Sequence, residues 1–105
     1  MSKSILASDL DKALQSENPP MVFDVRKKPV FDSDPRMIPT AQWQVHDDVM
    51  KWASDLSQAS QVVVYCVHGH AISQNAAKAL SELGFDVLYL EGGVVDWIEA
   101  GFGVS

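Results

Sequence analysis

Apolar positions in this chain come as short uninterrupted runs separated by segments of helical spacing. "QVVVY" (61–65) is the clearest run. It is rich in β-branched residues and free of charge, the pattern of a central strand covered on both faces. "MVFDV" (21–25) and "DVLYL" (86–90) read the same way, and "SIL" (4–6) as a short first strand. "AQWQV" (41–45) alternates apolar and polar positions, which predicts an edge strand. Between the runs, Leu10, Ala13 and Leu14 share one helical face. Ser8 is the predicted N-cap of that helix, with Asp11 at the capping-box position, and Pro19 and Pro20 close the segment after about Glu17. Asp47 is predicted to cap a helix bearing Val49, Trp52, Ala53 and Leu56. The strongest helix is Ser73 to Leu83, with a stripe of Ile72, Ala76, Ala79, Leu80 and Leu83 and with Gly84 where a C-terminal cap belongs. Glu91, Gly92 and Gly93 read as a turn before a last short helix, Val94 to Ala100. Residues 26–40 carry three prolines and several charges and read as a long loop.

Strands alternating with amphipathic helices predict an α/β fold: a mainly parallel sheet of four to five strands, flanked by helices on both faces. The 105 residues are expected to form one domain, 1–105, with a single modest core. No internal repeat or low-complexity segment divides them.

Composition narrows the partners. A net charge of −6 and the lack of a basic stripe argue against nucleic-acid and anionic-membrane partners. The apolar stretch before Ser8 is too short for a signal-peptide core or a membrane span. One cysteine cannot form an internal disulfide, and these features together predict a cytoplasmic protein.

That cysteine, Cys66, sits where the central strand stops and the best helix is about to begin. In open α/β sheets ligands bind beyond the carboxyl ends of the strands. The following helix turns its free N–H groups and its dipole toward the same space. Val67, His68, Gly69, His70, Ala71 and Ile72 lie between, and such a loop can curl so that several N–H groups face one anion. Helix N-termini and nearby cations favour the thiolate, so the expected chemistry is nucleophilic, with backbone donors holding the charge. The competing reading is a small buried hydrophobe. His68 and His70 read equally as substrate contacts and as solvated loop residues. With Cys66 they are all metal-ligand types, but alternate residues of one loop rarely complete a site, and no metal is expected.

Several ordered segments resemble the rhodanese-like family in its single-domain form: "VFDVR" (22–26), "VVVYC" (62–66), the Cys-x-x-Gly start of the loop, "QNAAKALSELGF" (74–85) and "YLEGGVVDW" (89–97). The last fits a Leu-x-Gly-Gly-x-x-x-Trp pattern through Leu90, Gly92, Gly93 and Trp97, and "IPTAQW" (38–43) looks like a weakened His-Ile-Pro-Gly-Ala segment. The resemblance implies a sulfurtransferase of the thiosulfate:cyanide type. Cys66 would accept a sulfane sulfur from a donor such as thiosulfate, hold it as a persulfide, and pass it to cyanide or a thiol. Residues 67–72 and Ser73 would bind the substrate, and Asp24 and Arg26 would brace the turn beside it. No cofactor is implied. The implied partners are a small sulfur-containing anion or thiol and, as an alternative, a sulfur-accepting protein.

Three departures keep rivals in view. Ser73, read as the small helix-capping residue, follows Cys66 after six residues where the common pattern has five, so the loop looks one residue longer. Longer loops are associated with phosphatases and arsenate reductases. Those enzymes use Cys-x5-Arg, and the arginine's place here is held by Ile72. The loop also lacks the arginine of many sulfurtransferases, which predicts weak thiosulfate binding. The rivals are therefore a non-catalytic partner-docking module and an oxyanion enzyme, arsenate reductase-like or phosphatase-like.

Overall fold

The computed structural model describes residues 3–105; Met1 and Ser2, the first residues of the predicted domain, lie outside the described residues. Five strands, β1 (Lys3–Ile5), β2 (Met21–Asp24), β3 (Gln42–Trp43), β4 (Val62–Tyr65) and β5 (Val87–Leu90), form one parallel sheet in the order β1-β5-β4-β2-β3. Helices α1 (Ala7–Leu14), α2 (Lys28–Ser33), α3 (Val49–Ala53), α4 (Ala71–Glu82) and α5 (Gly93–Glu99) alternate with them.

The apolar run 61–65 does what its composition predicts. All four residues of β4 are buried, and the strand lies mid-sheet. Side chains alternate across a strand, so Val62 and Val64 join Val49 and Ala53 of α3 and Ala76, Ala77 and Leu80 of α4. Val63 and Tyr65 join Leu10 of α1 and Val94 and Trp97 of α5 on the other side. Helices thus cover both faces of the α/β sheet, as the alternating pattern requires.

Local differences have physical causes. Only Leu6 separates β1 from α1. That helix therefore starts at Ala7, with Leu6 in the N-cap place and its carbonyl accepting from Leu10 N–H (2.9 Å). The predicted Ser8 cap is overturned, and the helix ends at Leu14. The predicted loop 26–40 contains α2. Pro29 fits its first turn, where no N–H is needed, and none of its residues is buried, so the helix leaves no apolar stripe to read. Helix α3 has Asp48, not Asp47, at its N-cap position and no side-chain cap. Helix α4 starts at Ala71, with His70 at the N-cap. Ser73 is therefore its third residue, not its cap, and is fully buried. The buried stripe is Ser73, Ala76, Ala77 and Leu80, whereas Leu83 is exposed at the helix end.

Thr40, in the segment 38–43, takes φ 69°. This left-handed conformation costs a residue with a Cβ about 1–2 kcal/mol and is rare for a β-branched one. Thr40→Gly should stabilise the protein by about 1 kcal/mol, after allowance for the extra chain entropy of glycine. A higher urea midpoint with an unchanged slope is the expected result; a lower midpoint would show that the Thr40 side chain supplies more than its backbone costs.

Candidate active site

Strand β4 delivers Cys66 to the carboxyl edge of the sheet, between β2 and β5. The residue is buried, with 6% of its surface exposed, yet it borders a cleft of about 180 Å³. Val30 of α2, Val67 of the β4–α4 loop and Ala71 and Ile72 of the first turn of α4 line the cleft, together with the exposed Lys27, His68 and His70. The thiol is therefore sheltered but not sealed.

The loop around it is held by its carbonyls. Val94 N–H, in the first turn of α5, donates to the Cys66 carbonyl (3.0 Å), and Val95 N–H donates to that of Val67 (3.1 Å). The Gln74 side chain donates to the Gly69 carbonyl (2.9 Å), and its main-chain N–H to that of His70 (3.1 Å). Among the described residues no peptide bond is cis. A trans peptide points its N–H opposite to its C=O, so the N–H groups of Val67 and His68 face away from α5. Among the described residues, none accepts a hydrogen bond from the main-chain N–H of residues 67–73. The last three of these belong to the first turn of α4, whose N–H groups have no partner within a helix. The result is a local concentration of positive dipole ends beside the thiol.

Two glycines let the loop come this close. At Gly69 (φ +74°) a Cβ would lie 2.7 Å from the Leu90 carbonyl oxygen and 2.8 Å from Gly92 N. At Gly93 (φ +63°) a Cβ would overlap the carbonyls of Val67 and Cys66. Gly69 thus forms the back of the loop and does not line the cleft.

Ser73 lies beneath the thiol. The Cys66 S–H donates to Ser73 Oγ at 3.1 Å. The sequence marks Ser73 as a cap; its position one turn inside α4, seven residues after Cys66, is what brings the two together.

The rhodanese-like domain model matches residues 6–100. This chain belongs to the rhodanese-like family. Its structure is similar to a rhodanese-related protein of Thermoplasma volcanium, with a TM-score of 0.83 and 28% identity over 98% of this chain and 97% of that one. A rhodanese-like domain protein of Staphylococcus aureus matches with a TM-score of 0.81 and 24% identity, over 98% and 96% of the two chains. A Rhodopseudomonas palustris protein described as a possible tyrosine phosphatase shares the fold, with a TM-score of 0.82 and 23% identity over 99% and 85%. No curated protein sequence matches the chain.

In this rhodanese-like domain Arg26 touches the cleft, but its guanidinium is already engaged. Nε and Nη2 donate to the Asp24 carboxylate (2.6–3.0 Å), Nη1 to the Asp34 carbonyl (2.9 Å) and Nη2 to that of Arg36 (3.0 Å). Asp24 is fully buried and also accepts from Arg26 N–H (2.9 Å). Burial opposes the Arg26 charge, but the hydrogen bond and charge of Asp24 outweigh it and the pKa moves up. Burial, then the charge of Asp24, pushes the hydroxyl of neighbouring Tyr65 up as well. That hydroxyl accepts from Ile38 N–H (3.2 Å) and stays a neutral tie between strand and loop. The Asp24–Arg26 pair thus fastens β2 to the segment 34–36. His68 and His70 are exposed, with ring centroids 5.9 Å apart. Among the described residues no cluster of three or more His, Cys, Asp or Glu could hold a metal ion, and no helix is long and apolar enough to cross a membrane.

Gly93→Ala and Gly101→Ala separate close approach from backbone strain. Both glycines have positive φ, but nothing lies within 4 Å of a Cβ at Gly101. Gly93→Ala should cost at least about 2 kcal/mol more than Gly101→Ala in urea denaturation. Equal losses would mean that the α5 contact does not hold the loop.

Proposed function

We propose that this rhodanese-like domain is a sulfurtransferase in which Cys66 is the nucleophile and the persulfide carrier. The observation that carries this reading is the run of N–H groups, residues 67–73, that have no acceptor among the described residues, beside a thiol that borders an open cleft. A buried anion is costly without compensating donors. Main-chain N–H groups fixed before the reaction supply that compensation without reorganising.

In the forward step the Cys66 thiolate attacks the sulfane sulfur of a donor. With thiosulfate, the sulfur–sulfur bond breaks, sulfite leaves with the electron pair, and Cys66 carries Sγ–S⁻. The terminal sulfur takes its charge into the amide-lined hollow. An acceptor thiolate or cyanide then attacks that sulfur, and Sγ leaves as the thiolate. Ser73 Oγ accepts from the thiol in the resting protein; once the proton is gone its own O–H turns to donate to the sulfur, a charge-assisted bond. The cycle needs one cysteine and calls on no metal or organic cofactor. It suits a reducing cytoplasm, with a small sulfur-containing anion, a thiol or a sulfur-accepting protein as its partner.

Phosphatase or arsenate reductase chemistry fits the site less well. Ile72 stands in the place of the oxyanion-binding arginine, and the guanidinium of Arg26 is committed to Asp24 and two carbonyls. Likeness to the Rhodopseudomonas palustris protein concerns the fold alone.

Incubation with a sulfane donor should add one sulfur atom to the intact mass, cyanide should remove it, and Cys66→Ser should abolish the gain. An activated aryl phosphate should show no turnover above the Cys66→Ser control. No mass gain with any donor would favour the partner-docking module; phosphate turnover would favour the oxyanion enzyme.

A further inference from the structure

We infer that the cleft beside Cys66 takes the carbon skeleton of a small organic persulfide or thiol, in preference to an inorganic sulfur dianion. This rests on the sulfurtransferase reading and names its substrate class.

A donor attacked by Cys66 has two parts: the sulfur that is transferred and the group that leaves. The loop N–H groups can compensate the first. The second must occupy the adjoining cleft, whose walls are the side chains of Val30, Val67, Ala71 and Ile72. A sulfite group placed there would bring negative charge against four apolar side chains. Among the described lining residues the buried cation is Arg26, and its donors are spent on Asp24 and the carbonyls of Asp34 and Arg36. Lys27, His68 and His70 also line the cleft but are exposed, so their pairing with an anion is screened by water. An alkyl group, in contrast, exchanges water for those walls and gains from burial. The volume of about 180 Å³ is below the roughly 300–1,000 Å³ of pockets for drug-sized ligands, so the skeleton is a few carbons long.

The chemistry balances without a further reagent. The Cys66 thiolate attacks the outer sulfur of R–S–S–H; the Sγ–S bond forms and the S–S bond of the donor breaks. R–S⁻ departs with the electron pair and takes up the proton from the transferred sulfur, leaving R–SH and Cys66–S–S⁻. The reverse step uses the same R–S position, so the cleft serves a thiol acceptor equally.

Methyl, ethyl, propyl and butyl persulfides share one sulfur chemistry and differ in the apolar surface that they bring. Each should be compared by its rate of adding one sulfur to Cys66, divided by its rate with a small free thiol, with thiosulfate treated in the same way. The normalised rate should rise about fifteenfold from methyl to propyl, since each of the two added methylenes is worth a factor of about four when buried. Thiosulfate should fall below propyl persulfide. Val30→Ser, a change at an exposed residue, should flatten the rise. A flat series, or thiosulfate at the level of propyl persulfide, would overturn the inference while Cys66 still gained sulfur. No gain with any donor would overturn the sulfurtransferase reading together with it.

Discussion

Two hydrogen bonds, from Val94 and Val95 at the start of α5 to the carbonyls of Cys66 and Val67, set the geometry on which the site depends. A peptide has one acceptor face and one donor face, and fixing the first commits the second. By drawing the loop carbonyls outward, α5 and Gln74 leave the N–H groups of residues 67–73 without a partner among the described residues. The glycines at 69 and 93 are the steric condition for that arrangement, since a Cβ at either would meet the neighbouring backbone.

The rest of the fold supplies a frame stiff enough to hold it. Strand β4 is buried on both faces, so its end cannot drift. Beside it the Asp24–Arg26 pair closes the end of β2 and reaches the carbonyls of residues 34 and 36. A buried carboxylate that loses its partner costs about 3–5 kcal/mol, so the pair acts as a latch. This latch also shapes the chemistry, because it removes from the cleft the one buried guanidinium that could have bound a dianion. Arg26 is thus part of the scaffold, and the cleft stays apolar.

Much of this was legible in the sequence, for definite reasons. The β-branched run 61–65 had to be a central strand, and the cysteine after it had to reach the carboxyl edge of the sheet. The Gly-Gly pair at 92–93 was visible as a turn, but its service to the Cys66 loop was not, because that depends on packing between segments 26 residues apart in the chain. Helix α2 was hidden because none of its residues is buried and its proline reads as a breaker. Ser73 was misread as a cap because small polar residues at helix starts usually are caps. Here the turn at Gly69 starts the helix two residues sooner, and the hydroxyl accepts from the thiol while donating back to the His70 carbonyl (3.5 Å).

The central claim is that the loop N–H groups form the seat for a charged sulfur. A crystal structure of the protein carrying a persulfide on Cys66 tests it most directly. The terminal sulfur should lie within hydrogen-bonding distance of several main-chain nitrogens between residues 67 and 73, with the Val94 and Val95 bonds intact. A terminal sulfur lying against the apolar walls, with those nitrogens bound to water or to carbonyls, would contradict it.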